Sequence, residues 1–289
     1  GSNHSGMGFV EGEEYKHFLS GYAVMDIMGG GYSGKVIGDT HIVGSGGLFC
    51  RRMFGGGSYS SVRSTDVEIK AVDCHDVFGG GFMGDVLKAT TVRIGTNTPD
   101  ATSALNNSDI YIHGNIYGGN DVSGYVNVVL NKDGYFKDNG GTGTNIQIFG
   151  GHIYGDVYGA GNGNYLYAND RNGNKKVTVN EYYPLNPDDP KSETVPLVYT
   201  VPMRSTMPSL RAATDAAKIV NINSWRPLTN RVSIHINGTS ATDTIRIDGN
   251  VYGGGNSATV QKVLAPDDEL LEDSDVMVGD VSVYIGSHV

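Results

Sequence analysis

Aspartates beside glycines are the residues of this chain whose type and spacing most readily suggest chemistry. Enzymes that hydrolyse glycosidic bonds place two carboxyl groups on either side of the scissile bond. An aspartate that recurs with the repeat of a chain is better explained as a turn former, because its carboxylate bonds neighbouring backbone groups. We therefore predict structural roles for these residues and no catalytic residue. They are Asp39, Asp85, Asp156, Asp248 and Asp280.

Metal-ligating residues form only one candidate site. The acidic run from Asp267 to Asp275 supplies oxygen ligands of the kind that Ca²⁺ takes, but it lacks the spaced ligands of a helix-loop-helix site. A solvated acidic loop is the alternative. The histidines include no pair spaced two, three or four residues apart, as zinc sites use. The sequence thus predicts no cofactor, with Ca²⁺ at the acidic run left open.

Tyrosine is frequent, with 17 copies, and several copies lie outside the repeated apolar positions. A flat ring that carries a hydroxyl suits both sugar faces and protein surfaces. Bracing of loops is an equally good explanation of the same rings. The predicted binding residues are Tyr165, Tyr167, Tyr182, Tyr183 and Trp225.

A recurring apolar-aromatic-glycine sequence indicates which elements carry these residues. The first glycines of three successive copies, Gly29, Gly55 and Gly79, are 26 and 24 residues apart, about the length of one turn of a β-solenoid. We expect such glycines to adopt positive φ and to allow close backbone approach at a corner. The repeat glycines are Gly29, Gly55, Gly79, Gly118, Gly159 and Gly253.

Alternating apolar and polar residues between the glycines predict strands, for example at 65–69, 108–112 and 144–148. An antiparallel sandwich would need tight hairpin turns at about eight- to twelve-residue spacing, which steps near 25 do not provide. The predicted fold is all-β, a right-handed parallel β-helix. In such a stack Cys50 and Cys74, each five residues before a repeat glycine, lie side by side as buried small residues or as a disulfide.

A proline-rich insertion interrupts the repeat. Seven of the nine prolines lie between residues 184 and 227, and proline cannot donate a ladder hydrogen bond, so this segment is not more of the same sheet. The predicted organisation is β-helix with an irregular amino-terminal cap at 1–163, an inserted loop or small subdomain at 164–230, and continued β-helix at 231–289. Long insertions of this kind favour a partner-facing role.

Composition argues against a nucleic-acid partner and against a transmembrane segment. The net charge of −10 and the sequence pI of about 5.2 do not fit a nucleic-acid binder, which shows a basic face. The chain has no run of about 18 apolar residues, so no transmembrane segment is predicted.

Two segments carry a resemblance to a known group of proteins. The sequence from Asp248 to Asn256, DGNVYGGGN, and that from Gly114 to Asn120, GNIYGGN, resemble a pattern of large repetitive, adhesin-like surface proteins of gut Bacteroidetes. The likeness covers residues 24–163 and 231–289. It implies a secreted or cell-surface location and no catalytic motif.

The expected function is therefore non-catalytic: a structural or adhesin-like protein that binds a glycan or protein partner on a host or bacterial surface, or associates with itself. The alternative is a carbohydrate-active enzyme, a polysaccharide lyase or glycoside hydrolase of the pectin-lyase-like β-helix class. A non-repeated cluster of carboxylates with Arg or Lys on one face would favour the enzyme. The sequence alone reveals no such cluster.

Overall fold

The computed structural model describes residues 23–45, 48–97, 107–131, 136–169, 175–181, 195–201, 225–238, 245–265 and 277–286. In these ranges the elements are strands, numbered β1 to β25 in chain order, with one 3-10 turn at Asn107–Asp109. The all-β prediction is confirmed. None of the helical structure in the described ranges is long and apolar enough to cross a membrane.

Two nine-stranded parallel sheets form the body of the protein. The front sheet contains β1 (Ala23–Met28), β3 (Leu48–Phe54), β5 (Val72–Phe78), β7 (Tyr111–Ile112), β8 (Ile116–Tyr117), β13 (Gly151–Ile153), β14 (Val157–Tyr158), β20 (Ile245–Ile247) and β21 (Val251–Tyr252). The back sheet contains β2 (Thr40–Gly44), β4 (Val62–Ile69), β6 (Val86–Ile94), β9 (Tyr125–Val126), β12 (Gly143–Ile148), β18 (Leu228–Thr229), β19 (Arg231–Ile236), β22 (Thr259–Val260) and β25 (Asp280–Ile285).

The chain alternates between the two sheets, so equivalent residues of successive repeats pair in register. In the back sheet Val67 pairs with Val92, which pairs with Ile146, which pairs with Ile234. All four side chains are buried in one apolar core that also receives residues of the front sheet. Period-two alternation places one face of each strand in this core and the other outside. Of the three strands named from alternation, 65–69 and 144–148 are confirmed, whereas 108–112 begins as the 3-10 turn.

The two cysteines occupy paired positions, as the repeat predicts. Cys50 of β3 pairs in register with Cys74 of β5, and their Sγ atoms are 3.1 Å apart. Both are buried, free thiols. Burial raises the pKa of Cys74 well above its usual value, and the adjacent Cys50 raises it further.

The repeat glycines allow close approach between layers, but the expected positive φ is wrong. No repeat glycine is among the described glycines with positive φ. Instead, a Cβ added at Gly55 would lie 2.3 Å from the carbonyl oxygen of Gly79. That carbonyl also accepts a hydrogen bond from the hydroxyl of Thr65, and Thr40 donates in the same way to Gly55 at 2.6 Å. These threonine hydroxyls therefore link the back sheet to the glycine backbone of the next layer.

The described part of the insertion forms an antiparallel sheet of its own, with β15 (Leu166–Asn169), β16 (Lys175–Glu181) and β17 (Val195–Thr200). Pro196 lies in β17, an edge strand, where a missing N–H donor is tolerated. The back sheet resumes at Leu228 rather than at the predicted residue 231, because β18 already pairs with β9.

A further small sheet interrupts both predicted β-helix segments, 1–163 and 231–289. It joins β10 (Val128–Leu130), β11 (Phe136–Asp138), β23 (Val263–Leu264) and β24 (Met277–Val278). The pair β10–β11 is an antiparallel hairpin, so this part of the chain leaves the parallel arrangement. The predicted amino-terminal cap before residue 23 lies outside the described residues.

Candidate functional site

An aromatic ladder runs along the outer side of the front sheet. Its members follow the inward-facing residue at the end of β3, β5, β8, β14 and β21, and neighbouring rings stack with centroids 4.7 to 5.1 Å apart. In-register pairing places each ring on the next, because an aromatic residue precedes the glycine in each of these five repeats. The aromatic ladder consists of Phe54, Phe78, Tyr117, Tyr158 and Tyr252.

The insertion packs on the aromatic ladder and covers its first half. Val177 and Val179 of β16 are buried in the same apolar cluster as Phe54, Phe78 and Tyr117. Tyr252, at the other end of the ladder, remains 43% exposed. The insertion therefore builds a wall over part of the front sheet.

A column of polar residues lies beside the ladder and links successive layers. Asp76 Oδ1 accepts the backbone N–H of Asn115 at 2.7 Å, and Asn115 Oδ1 accepts that of Asp156 at 2.8 Å. Asp156 in turn accepts the N–H of Asn250 at 2.7 Å. These bonds satisfy backbone donors where the front sheet is interrupted, as side chains of this type do at turns.

The recurring aspartates differ in their contacts, and Asp85 and Asp156 accept backbone N–H groups of another layer rather than of their own turn. Asp156 accepts backbone N–H as described, and Asp85 accepts that of Tyr125 at 2.7 Å. Asp39 and Asp248 instead bind the guanidinium groups of arginine side chains, and Asp280 is exposed in β25. The sequence setting beside glycine does not distinguish these cases, because most of the partners come from another layer; Arg246, two residues before Asp248, is the exception.

Two adjacent arginines share one carboxylate at the amino-terminal end of this column. Arg51 binds Asp26 through Nε at 3.0 Å and Nη2 at 2.7 Å, and Arg52 does so at 3.2 and 2.7 Å. Burial by itself raises the pKa of Asp26, but the hydrogen bonds and charges of the two arginines outweigh burial and lower it. A carboxylate and two guanidinium groups are thus held rigidly beside the wall.

Asp121 joins the body to the insertion. It follows the glycines after β8 and is fully buried. Its Oδ1 accepts hydrogen bonds from the Tyr165 hydroxyl at 2.5 Å and from Asn162 Nδ2 at 2.9 Å. Its Oδ2 has no hydrogen-bond partner among the described residues and lies 3.8 Å from Arg52 Nη1. Burial raises the pKa of Asp121 to about 6, and the charge of Arg52 opposes that rise.

The front sheet, the turn at Asp121 and the insertion border an open-sided cavity of about 480 Å³. This volume lies in the range of small-molecule sites, roughly 300–1,000 Å³. Its lining includes the polar side chains of Arg52 and Asp76 and the ring of Tyr165. Phe78 and Val179 also border it but are almost fully buried. We call this cavity the cleft. It can bind a ligand that presents both hydrogen-bonding groups and an apolar face.

The structure places the predicted aromatic residues at the base of the insertion. Tyr165 lines the cleft and bonds Asp121, whereas the Tyr167 hydroxyl donates to the carbonyl of Val122 at 2.5 Å. Trp225 stacks on Tyr167 with centroids 5.9 Å apart. These rings brace the insertion against the body, and their direct contact with a ligand stays a prediction. Tyr182 and Tyr183 lie outside the described residues.

Sequence reasoning missed the polar residues of the cleft. Arg51 and Arg52 replace the expected alternation in β3 with two adjacent basic residues, and His75-Asp76 occupies the paired position in β5. This departure from the repeat was the available signal. Among the described residues no three His, Cys, Asp or Glu side chains are placed to hold a metal ion. The run from Asp267 to Asp275 lies outside them.

Comparison of the chain with protein-family models, with curated proteins and with solved structures found no match. The fold and the cleft define an all-β protein whose two main sheets are parallel and which carries a cavity lined mostly by polar residues. The chemistry of that cavity is therefore the basis for a functional proposal.

The titration of Asp121 is expected to make folding stability depend on pH. Its pKa of about 6 in the folded protein exceeds the ordinary 3.8, so the folded state binds more protons between about pH 4 and 6. The contribution of Asp121 to the free energy of unfolding therefore falls as pH rises through that window. Between pH 4 and 7 the free energy of unfolding of the wild type should therefore fall by up to about 3 kcal/mol more than that of Asp121→Asn.

Urea unfolding of both proteins at pH 4, 5, 6 and 7 measures this difference. Asp248→Asn is the control, because the pKa of Asp248 is lowered by Arg246 and His152 and its titration lies below this window. The same pH dependence in the wild type and Asp121→Asn would contradict the raised pKa.

Proposed function

We propose that this chain is a secreted or cell-surface structural protein, adhesin-like in kind, whose cleft binds a glycan without cleaving it. We also propose that its two parallel sheets are faces of a right-handed parallel β-helix. The alternation of the chain between the sheets and the register of about 25 residues support this architecture.

The observation that carries the proposal is the composition of the cleft. Sugars present hydroxyl groups that both donate and accept, together with apolar C–H faces. Carboxylate, amide and guanidinium groups supply fixed donors and acceptors, and the partly exposed ring of Tyr165 supplies an apolar surface. Because the polar groups are held by the hydrogen bonds of the column, little ordering is needed when a ligand binds.

A cleft-blocking variant tests this assignment. Asn164 is exposed and lines the cleft, so Asn164→Trp should fill the entrance without disturbing the core. Leu166→Trp is the matched control, because Leu166 is 78% exposed and does not line the cleft. On a glycan array we expect the wild type and Leu166→Trp to bind the same glycans and Asn164→Trp to lose them.

Two results would overturn the proposal. Absence of binding to any glycan by the folded wild type would remove glycan recognition as the function. Equal binding by all three proteins would place the binding surface outside the cleft. Circular dichroism of each variant checks that its fold is retained.

A carbohydrate-active enzyme is the second candidate, and one observation favours it. Asp76 and Asp121 line the same cleft as Arg51 and Arg52, which is the non-repeated cluster of carboxylates and basic residues that would distinguish an enzyme. A product-release assay with the array glycans separates the two candidates. Release of new reducing ends or unsaturated products that disappears in Asp76→Asn would establish cleavage.

A further inference from the structure

We propose that the carboxy-terminal end of the two parallel sheets binds the amino-terminal end of a second copy of this chain, so that both sheets continue from one copy into the next. The carboxy-terminal layer consists of β20, β21, β22 and β25, and the amino-terminal layer of β1 and β2. Within the two sheets these are the described strands that pair on one side only. The proposal goes beyond glycan binding and does not depend on it.

The core-facing side chains of β25 are left uncovered. Val281, Val283 and Ile285 are 51%, 43% and 56% exposed. Their in-register partners in β19, one layer earlier, are at most 3% exposed. The same positions therefore belong to the core where another layer follows and face solvent at β25. An exposed apolar surface at the unpaired edge of a sheet is a site at which another chain can add.

The internal register specifies which residues of the two copies would meet. Continuous parallel pairs run through the back sheet from β2 to β25. Extending this register by one layer places Val283 of one copy beside Ile42 of the next, and Tyr284 beside Val43. Ile42 is partly exposed and packs against the apolar core, as Val283 would on the other side of the contact. Tyr284 and Val43 are 52% and 46% exposed, so both ends carry apolar residues at matching positions.

The other exposed apolar residues lie at the same two ends. Among the described residues, every exposed large apolar side chain except Leu166 belongs to one of the two terminal layers. The aromatic ladder ends at Tyr252, and the corresponding residue of β1 is Met28. A methionine sulfur makes favourable contacts with an aromatic ring, so the ladder can continue across the contact.

Gly254 provides independent support for a further layer. An added Cβ at Gly254 meets no atom within 4 Å, whereas at Gly30, Gly56 and Gly119 it would lie 2.6, 2.7 and 2.9 Å from a backbone nitrogen of the next layer. Hydrogen bonds that link these positions from layer to layer, the last from Ala160 N–H to the Gly254 carbonyl, show that they are equivalent. The space that a following backbone occupies elsewhere is therefore open at Gly254. Gly254→Val should be tolerated by the separate chain and should hinder assembly.

A second copy fits this end better than an unrelated partner does. The partner must present a parallel strand edge, apolar side chains at alternate positions and a glycine run at the spacing of this repeat. The amino-terminal layer of this chain has all three features. Because the two contacting surfaces differ, each added copy leaves one end of each kind free, and the assembly grows as an open filament.

Sedimentation velocity over a range of protein concentrations tests the carboxy-terminal end. Val283→Lys leaves the ammonium group near solvent in the separate chain and buries it without a partner in the assembly, so association should weaken at least about a hundredfold. Ser282→Lys is the matched control, because Ser282 is exposed on the outer face of the same strand. The wild type and Ser282→Lys should form a series of growing oligomers, whereas Val283→Lys should remain monomeric.

Ile42→Lys tests the amino-terminal end and the head-to-tail geometry. By itself it should also remain monomeric. Mixed with Val283→Lys it should form heterodimers that grow no further, because the mixture offers one intact end of each kind. Normal association of either variant by itself would overturn the head-to-tail contact. Circular dichroism checks that each variant is folded, and Val283→Lys with its control decides the question if Ile42→Lys does not fold.

A monomeric wild type at every concentration would overturn the proposal. In that case, a lower free energy of unfolding for Val283→Lys than for Ser282→Lys would indicate that a segment of the same chain covers this end. The glycan array reports on the proposed function separately. Loss of glycan binding leaves this inference standing, and loss of association leaves the proposed function standing.

Discussion

Gly79→Val is expected to lower the free energy of unfolding by at least about 3 kcal/mol or to prevent folding. A Cβ at this position would lie 2.3 Å from the carbonyl oxygen of Gly118 in the next layer. The obstructing atom belongs to the backbone, so it cannot rotate away as a side chain would. The clash could be removed only if the two layers moved apart. That movement would break the hydrogen bond from the Thr90 hydroxyl to the same carbonyl.

Gly254→Val is the matched control, because Gly254 belongs to the same kind of glycine run and a Cβ there meets no atom within 4 Å. Its unfolding midpoint in urea should remain close to that of the wild type. The unfolding midpoint of Gly253→Val should lie between those of the other two variants. The atom nearest to its added Cβ, at 2.5 Å, belongs to the side chain of Val281, which lies in an exposed strand. Equal midpoints for Gly79→Val and Gly254→Val would contradict the close-approach explanation.

Phe78→Ala is expected to cost about 3–5 kcal/mol of unfolding free energy. Phe78 is 2% exposed and stacks between Phe54 and Tyr117, with centroids 4.7 Å away on both sides. Its removal leaves a cavity between the front sheet and the insertion and also takes away stacking contacts. Because Val179 packs in the same cluster, the wall of the cleft should loosen and ligand binding should weaken as well.

Tyr252→Ala tests whether this cost arises from burial within the ladder. Tyr252 is the end ring, stacks on Tyr158 at 5.0 Å and is 43% exposed. Its replacement should cost less than about 1.5 kcal/mol, because little apolar surface is lost from the interior. Chemical unfolding of both variants measures the difference. A loss as large for Tyr252→Ala as for Phe78→Ala would show that burial under the insertion does not contribute.

Much of the parallel arrangement could be predicted from the chain, and the reason is periodicity. The steps between Gly29, Gly55 and Gly79 set the register that pairs Cys50 with Cys74, because identical positions stack when each repeat has nearly the same length. The conformation of the glycines could not be predicted. A positive φ and a close approach between layers both favour glycine, and only the backbone angles and interlayer distances of the folded protein distinguish the two reasons.

The hairpin at β10–β11 and the early resumption of the back sheet at Leu228 were missed for a related reason. Both depart from the repeat, so the local pattern carries no period by which to place them. The edge-strand position of Pro196 was missed as well, since proline shows that a strand is not central but does not identify the partner strand.

The sequence by itself determined the all-β class and the parallel register, because these follow from residue types that repeat at a nearly constant spacing. Only the tertiary structure decided that a cleft exists. Arg52, Asp121 and Tyr165 are far apart in the chain and belong to no common motif. They meet because the insertion folds back over the aromatic ladder, and the burial that raises the pKa of Asp121 arises from that packing.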